Sequence, residues 1–322
     1  MKAGAITPLK KEDDNASLAK RLVNLPTLLA ALIAVLTVFF PGRMTERFAV
    51  QAPYVFLSAI ALSWLYFQYK WTAAGNRQAA TDVASAVFGF MLVWEICVTK
   101  LDLLPFVFVP APENVFNVYI KDYRMILSGF FRSIFLLLTG FVASVIFGVG
   151  LGVAVGWIPR LRKAVFPIAK AISTVPALIY SPYLVVMMPT FISASIFVIF
   201  CGTFWTLFMN MIQRVGTIDQ RIINTARILN VKTGTMLFKI ILPYSIPHIF
   251  NDMTTMLSIS VMTLTVAEMI GAERGMGFYV RRSLDYANYT QAIAGIFFIA
   301  IVITALNAVI AAIRGKAVKW SY

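Results

Sequence analysis

Long apolar stretches separated by short polar, often basic, segments dominate the chain. Eight can be delimited, at about 22–40, 53–70, 82–104, 130–157, 165–188, 192–213, 248–270 and 290–312. A helix rises ~1.5 Å per residue and a bilayer core is ~30 Å thick, so stretches of ~20 residues are membrane-span candidates. A chain inside lipid must satisfy its own backbone hydrogen bonds, which predicts helices. No run of alternating ten-residue strands argues for a barrel. The pattern therefore predicts an all-α polytopic membrane protein. The first stretch contains Pro26 and ends at Phe39, Phe40 and Pro41 with no small-residue cleavage site, so it reads as a retained helix. After Pro110, Ala111 and Pro112, the residues from Glu113 to Leu127 mix apolar and polar positions at helical spacing, which predicts an amphipathic helix on the outer interface.

Composition supports this class. Of 322 residues, 60% are hydrophobic and 13% charged, and the mean hydropathy is +0.80. That leaves too little polar surface for a soluble domain of this length. The net charge of +14 would suggest nucleic acid in a soluble protein, but here it follows from basic loops. With the N-terminus placed inside, the inner segments carry 18 Lys and Arg against 9 outside. The positive-inside rule then makes both termini cytoplasmic. Cys97, Cys201 and the single histidine, His248, form neither a disulfide framework nor a metal site.

Three segments carry more information. Ser144, Gly148, Gly152 and Gly156 recur every four residues, a small-residue face that admits another backbone closely. The fifth stretch is interrupted by Pro176 and Pro182, around which the hydroxyls of Ser173, Thr174, Tyr180, Ser181 and Tyr183 gather. A broken helix persists in lipid only where protein or a watery cavity compensates it. These residues either line a solute path or patch a proline kink. Segment 214–243 is the longest polar stretch between spans and is basic. Thr217 and Gln220 have capping-box spacing, and Ile218, Ile222, Ala226 and Leu229 form an apolar stripe. Asn230 stands where a left-handed residue ends a helix, and a second short helix is expected to stop at Pro243. Such a helix–turn–helix either docks into another protein's groove or lies on the inner leaflet.

Segment 214–243 also resembles the cytoplasmic motif of binding-protein-dependent ABC permeases: Glu-Ala-Ala, three residues, Gly, nine residues, Ile-x-Leu-Pro. The same spacing here reads Asn224, Thr225 and Ala226, then Asn230, then Ile240, Ile241, Leu242 and Pro243. The leading glutamate and the glycine are both asparagine. Further motifs are similar to those of the nitrate/sulfonate/taurine branch. They are Trp94-Glu95 followed by Val109 to Pro112, the pair Pro176 and Pro182, and Ala267, Glu268, Met269 followed by Gly275, Met276, Gly277.

The resemblance, over about residues 82–322, implies a type I ABC importer transmembrane domain. Six core helices would lie within about 128–312 of a permease region 81–322, preceded by two extra helices within 1–80. It implies a permease subunit in a bacterial inner membrane, paired with a second permease as a homo- or heterodimer. It also implies two cytoplasmic ATPase subunits, which bind ATP and Mg, and an extracytoplasmic binding protein that delivers a small anionic or polar organic solute. Loop 214–243 would couple the permease to the ATPase; this chain has no phosphate-binding Gly-Lys-Ser/Thr loop and is not expected to be an enzyme. Asn224 removes an ion pair, so the loop either docks through its apolar stripe and Pro243 or relies on a second permease that keeps the glutamate. Glu268 is either a group on the solute path or a partner for backbone donors of the glycine-rich turn that follows. The competing class, a secondary transporter or channel not coupled to ATP, would place ionisable groups mid-span, and few are visible.

Overall fold

The computed structural model describes residues 24–40, 52–73 and 77–317. Residues 1–23, 41–51, 74–76 and 318–322 lie outside it, together with the charges counted there. Every regular element described is helical. The chain divides at Ile120/Lys121 into two compact units, so residues 81–120, read above with the permease core, pack with the first.

The first unit contains α1 (Leu25–Phe39), α2 (Tyr54–Ala73), α3 (Arg77–Trp94) and α4 (Pro112–Lys121). Helix α3 continues as a wide π turn over Glu95–Lys100, where Leu101 N–H reaches back to Ile96 O at 2.9 Å. Ala30, Ile33, Phe56, Ile60 and Phe88 form the core, with Phe116 of α4 packed against them. Helix α4 is shorter than the expected interfacial helix, and its Glu113, Asn114, Val115 and Val118 are buried. It docks on this unit: Phe116 meets Phe56 at 5.4 Å between ring centroids, and Asn117 Nδ2 donates to Ala52 O at 2.9 Å.

The second unit contains α5 (Tyr123–Trp157), α6 (Pro159–Ser173), α7 (Ala177–Met187), α8 (Phe191–Gly216), α9 (Gln220–Ile228), α10 (Thr233–Met236), α11 (Leu242–Gly271), α12 (Met276–Asp285) and α13 (Tyr289–Ala317). The small-residue face acts as the sequence predicts. An added Cβ at Gly140, Gly148, Gly152 or Gly156 would press on Ile199, Leu207, Met211 or Val215, the matching four-residue steps of α8. Within the same seam, Thr203 Oγ1 donates to Ser144 Oγ at 2.6 Å. Leu136, Leu137, Phe141, Leu257, Val261 and Leu264 build one core cluster, and Val153, Met211, Val215, Met236 and Ile249 another.

Among the described residues, five helices are long and apolar enough to cross a membrane, six if the bent pair α6–α7 counts as one span. This corrects the expectation of eight. Helix α1 has 15 residues, about 22 Å, short of the ~30 Å a span needs. Helix α2 has the length, but its tyrosines, Gln68 and Lys70 lower its apolar character.

Candidate functional site

The loop after α8 is built from local capping. Helix α9 is capped by Asp219, whose Oδ1 accepts from Arg221 N–H at 2.8 Å, and not by Thr217, whose hydroxyl donates to Arg214 O. The helix therefore starts later than the capping-box spacing predicts, and its faces turn. Ile218, Ile223 and Ala226 are buried, while Ile228 (80%) and Leu229 (71%) are exposed. Asn230 takes the predicted left-handed conformation, with φ 52°. Val231 N–H bonds to Ala226 O and Asn230 N–H to Arg227 O, the paired bonds of a Schellman end. Asn224 and Thr225 face solvent.

The second short helix does not stop at Pro243. From Thr233 the chain stays helical to Gly271, passing through a π turn at Leu237–Ile241. A proline ring collides with the carbonyl four residues back, and the widened turn before Pro243 accommodates it. Ile240, Leu242 and Pro243 are half-buried, and Ile241 is buried against the α9 face. Arg214 pairs with Asp252 at 3.0 Å, and Asn210 Nδ2 adds a bond to the same carboxylate, tying the end of α8 to α11. Sequence spacing does not show this anchor, because its partners lie on different helices.

The proline-interrupted stretch breaks between Ser173 and Ala177, and α6 and α7 meet at 85°. Pro176 sits at the start of α7 and Pro182 lies inside it. The hydroxyls of Ser173, Thr174 and Ser181 donate to Lys170 O, Ala171 O and Leu178 O, patching their own helices. Thr174, Pro176, Pro182 and Tyr183 are exposed, Ser173 and Tyr180 half-buried, and Ser181 buried.

Glu268 is fully buried. Its Oε1 accepts from Ser133 Oγ at 2.5 Å and its Oε2 from Gly277 N–H at 2.7 Å, while Ser133 Oγ accepts from Met276 N–H at 2.9 Å. The carboxylate and Ser133 together thus satisfy the first backbone donors of α12, the partner role weighed above, and the carboxylate lies at that helix's positive end. The glycines around it are steric requirements. Gly275 has φ +145°, and a Cβ there would fall on the Glu268 carboxylate. A Cβ on Gly129 would lie 3.0 Å from Gly275 O. Ser133 and Gly129 are the partners that sequence reasoning missed; both lie on α5, remote in sequence.

Beside this junction the second unit is hollowed by two clefts, of about 530 and 430 Å³, that share Ser128, Glu273 and Arg274. In the first unit, Trp94 Nε1 donates to Pro110 O at 3.1 Å, so the two halves of the Trp-Glu and Pro-x-Pro motif meet. Glu95 accepts from Thr99 at 3.2 Å and lies 3.0 Å from Lys100 Nζ.

The chain is similar to the taurine transport system permease protein of Escherichia coli (strain K12), 26% identical over 78% of this chain and 93% of that protein. It is similar to a nitrate import permease protein of Leptolyngbya laminosa, 28% identical over 56% of this chain and 64% of that one. A putative aliphatic sulfonates transport permease protein of Bacillus subtilis (strain 168) is 24% identical over 71% of this chain and 83% of its own length. Residues 144–317, more than half of the chain, match the family described as binding-protein-dependent transport system inner membrane component. That stretch holds the small-residue face from Ser144 to Gly156, the capped loop, and Glu268 with the Gly275–Gly277 turn, and the chain belongs to this family of multi-pass ABC importer permeases.

Proposed function

We propose that the chain forms the membrane pathway of a type I importer for a small anionic or polar organic solute. An extracytoplasmic protein delivers the solute, and two cytoplasmic subunits bind ATP and Mg and hydrolyse the nucleotide. A second permease subunit, identical or not, completes the pathway. Both termini and loop 214–243 are cytoplasmic, as the distribution of Lys and Arg favours. The exposed pair Ile228 and Leu229 carries the reading. A short helix buries one apolar face in its own unit and still presents two large apolar side chains at a rigid, Schellman-closed end. That arrangement fits insertion into a protein groove. Because α9 is fixed to α11 through Ile223, Ala226, Met236 and Ile241, a push on its tip is transmitted to a helix running to Gly271. The coupling role of Asn224, Thr225, Ala226, Asn230, Ile240, Leu242 and Pro243 is then divided: the exposed residues face the ATPase, and the buried ones hold the lever.

The test is to co-express the chain with its candidate ATPase and binding-protein subunits and measure co-purification and solute-stimulated hydrolysis in nanodiscs. Ile228→Asp with Leu229→Asp is expected to abolish co-purification or cut stimulated hydrolysis at least tenfold. Transport that persists without any ATPase would overturn the importer reading in favour of a secondary transporter or channel.

A further inference from the structure

The two clefts beside the Glu268 junction form one depression at the end of the second unit opposite loop 214–243. The start of α5, the start of α8, the turn after α11 and helix α12 wall it. Four guanidinium groups line it, from Arg124, Arg132, Arg274 and Arg282, against one lining carboxylate, Glu273. Arg132 also acts electrostatically on the buried Glu268, whose oxygens are already taken by Ser133 and Gly277. Arg132 and Arg274 have no hydrogen bond or ion pair among the described residues. Among the described residues, the Arg124 guanidinium meets only Tyr123, through its hydroxyl and its ring, and that of Arg282 only Met125 Sδ and the Tyr286 ring. The neighbouring Arg281 behaves differently: it donates to Met269 O and Ile270 O and pairs with Asp285, so its charge serves the end of α11.

Gathering four like charges against a single lining counter-charge costs free energy, which an anion would relieve. Guanidinium presents paired donors that match planar and tetrahedral oxyanions, and a concave site concentrates the field. A depression of several hundred Å³ suits a small molecule better than a flat protein contact.

We infer that this cleft, centred on Arg132 and Arg274, captures a small soluble oxyanion such as a sulfonate at the extracytoplasmic mouth of the pathway. The extracytoplasmic placement rests on the orientation proposed above; binding of the anion to the isolated chain does not depend on it.

The experiment places the full-length chain in phosphatidylcholine nanodiscs without other subunits and titrates methanesulfonate, with dimethyl sulfone as the neutral control, by saturation-transfer NMR. The expected result is methanesulfonate binding that weakens at least fivefold in Arg274→Gln and in Arg132→Gln. Arg274→Lys is expected to restore part of the affinity, and Glu273→Gln to tighten binding about twofold. Arg314→Gln, at the far end of the unit, should leave it unchanged. Glu273→Gln and Arg274→Lys keep the test informative if a neutral variant misfolds. Absence of binding, or equal binding of dimethyl sulfone, would overturn the proposal. So would methanesulfonate displacement by phosphatidylglycerol, which would assign the cleft to a lipid headgroup. Unchanged methanesulfonate binding in Arg274→Gln would overturn it too. If the ATPase fails to associate while methanesulfonate still binds, the importer reading falls and the anion site stands.

Discussion

Two buried carboxylate sites in this chain are built on opposite plans. In the second unit, Glu268 is surrounded by fixed neutral donors: one hydroxyl and one backbone N–H bond directly to it, and a further N–H orients that hydroxyl. In the first unit, Glu95 and Glu113 are both buried, and the Glu95 charge acts on Glu113. Thr99 and Lys100 serve Glu95, whereas Glu113 Oε2 has no hydrogen-bond partner among the described residues. Burial pushes the Glu113 carboxyl from 4.5 up to about 7, and the Glu95 carboxylate adds to the rise. The contrast shows that burial alone does not decide what a carboxylate does. Preorganised donors turn Glu268 into a fastener between α5, α11 and α12, whereas Glu113 shares its pocket with a second carboxylate and leaves Oε2 without a donor among the described residues.

The comparison can be broken most sharply at Gly275. Gly275→Ala combines an unfavourable positive φ with a Cβ on the Glu268 carboxylate, and should cost about 3 kcal/mol or more. Thermal unfolding of the detergent-solubilised chain is expected to show little folded protein; a wild-type melting curve would refute the packed junction.

Glu268→Leu should cost about 2–4 kcal/mol, because it strands Gly277 N–H and the Ser133 hydroxyl. Glu268→Gln keeps one acceptor and should recover at least half of that loss in the same assay. Equal losses would mean that the charge matters more than the hydrogen bonds.

The Glu113 carboxyl predicts a pH slope. The folded chain holds a proton on Glu113 that the unfolded chain releases near 4.5, so between 4.5 and about 7 the folded state binds more protons. The Glu113 contribution to stability is therefore largest below 4.5, falls by about 3 kcal/mol as pH rises to about 7, and then levels off. Denaturant titrations across that range should show a shallower slope in Glu113→Gln than in the wild type. Glu95→Gln should shorten the slope by bringing the Glu113 carboxyl back toward 4.5, with the contribution of burial remaining.

The smallest effect is expected at Thr99→Val, which removes a single hydroxyl donor to Glu95 and should cost about 1 kcal/mol. A loss as large as that of Glu268→Leu would erase the distinction between the two sites.

Glu95 and Glu268 were visible in the sequence as motif residues, but their partners were not. Trp94-Glu95 and Val109 to Pro112 read as one motif in two parts, and folding brings the parts together through Trp94 Nε1 and Pro110 O. Glu268 and the Gly275–Gly277 turn are near in sequence, so the partner role was foreseeable, whereas Ser133 lies 135 residues away.

What the sequence determined by itself is whatever depends on local periodicity and local backbone preference. This covers the all-α membrane class, the four-residue small face of α5, the break at Pro176 and the left-handed Asn230. These follow from side-chain volume, hydropathy and φ limits, which act over a few residues. Tertiary structure decided what depends on meeting partners: the face of α9 that points inward, the 85° bend, the continuity of α10 into α11 past Pro243, and the clustering of four arginines in one cleft. Capping by Asp219 rather than Thr217 turned the α9 stripe, and packing across distant helices placed Arg124, Arg132, Arg274 and Arg282 together. A one-dimensional pattern records which residues are available; the close contact of helices far apart in sequence selects which of them share a surface.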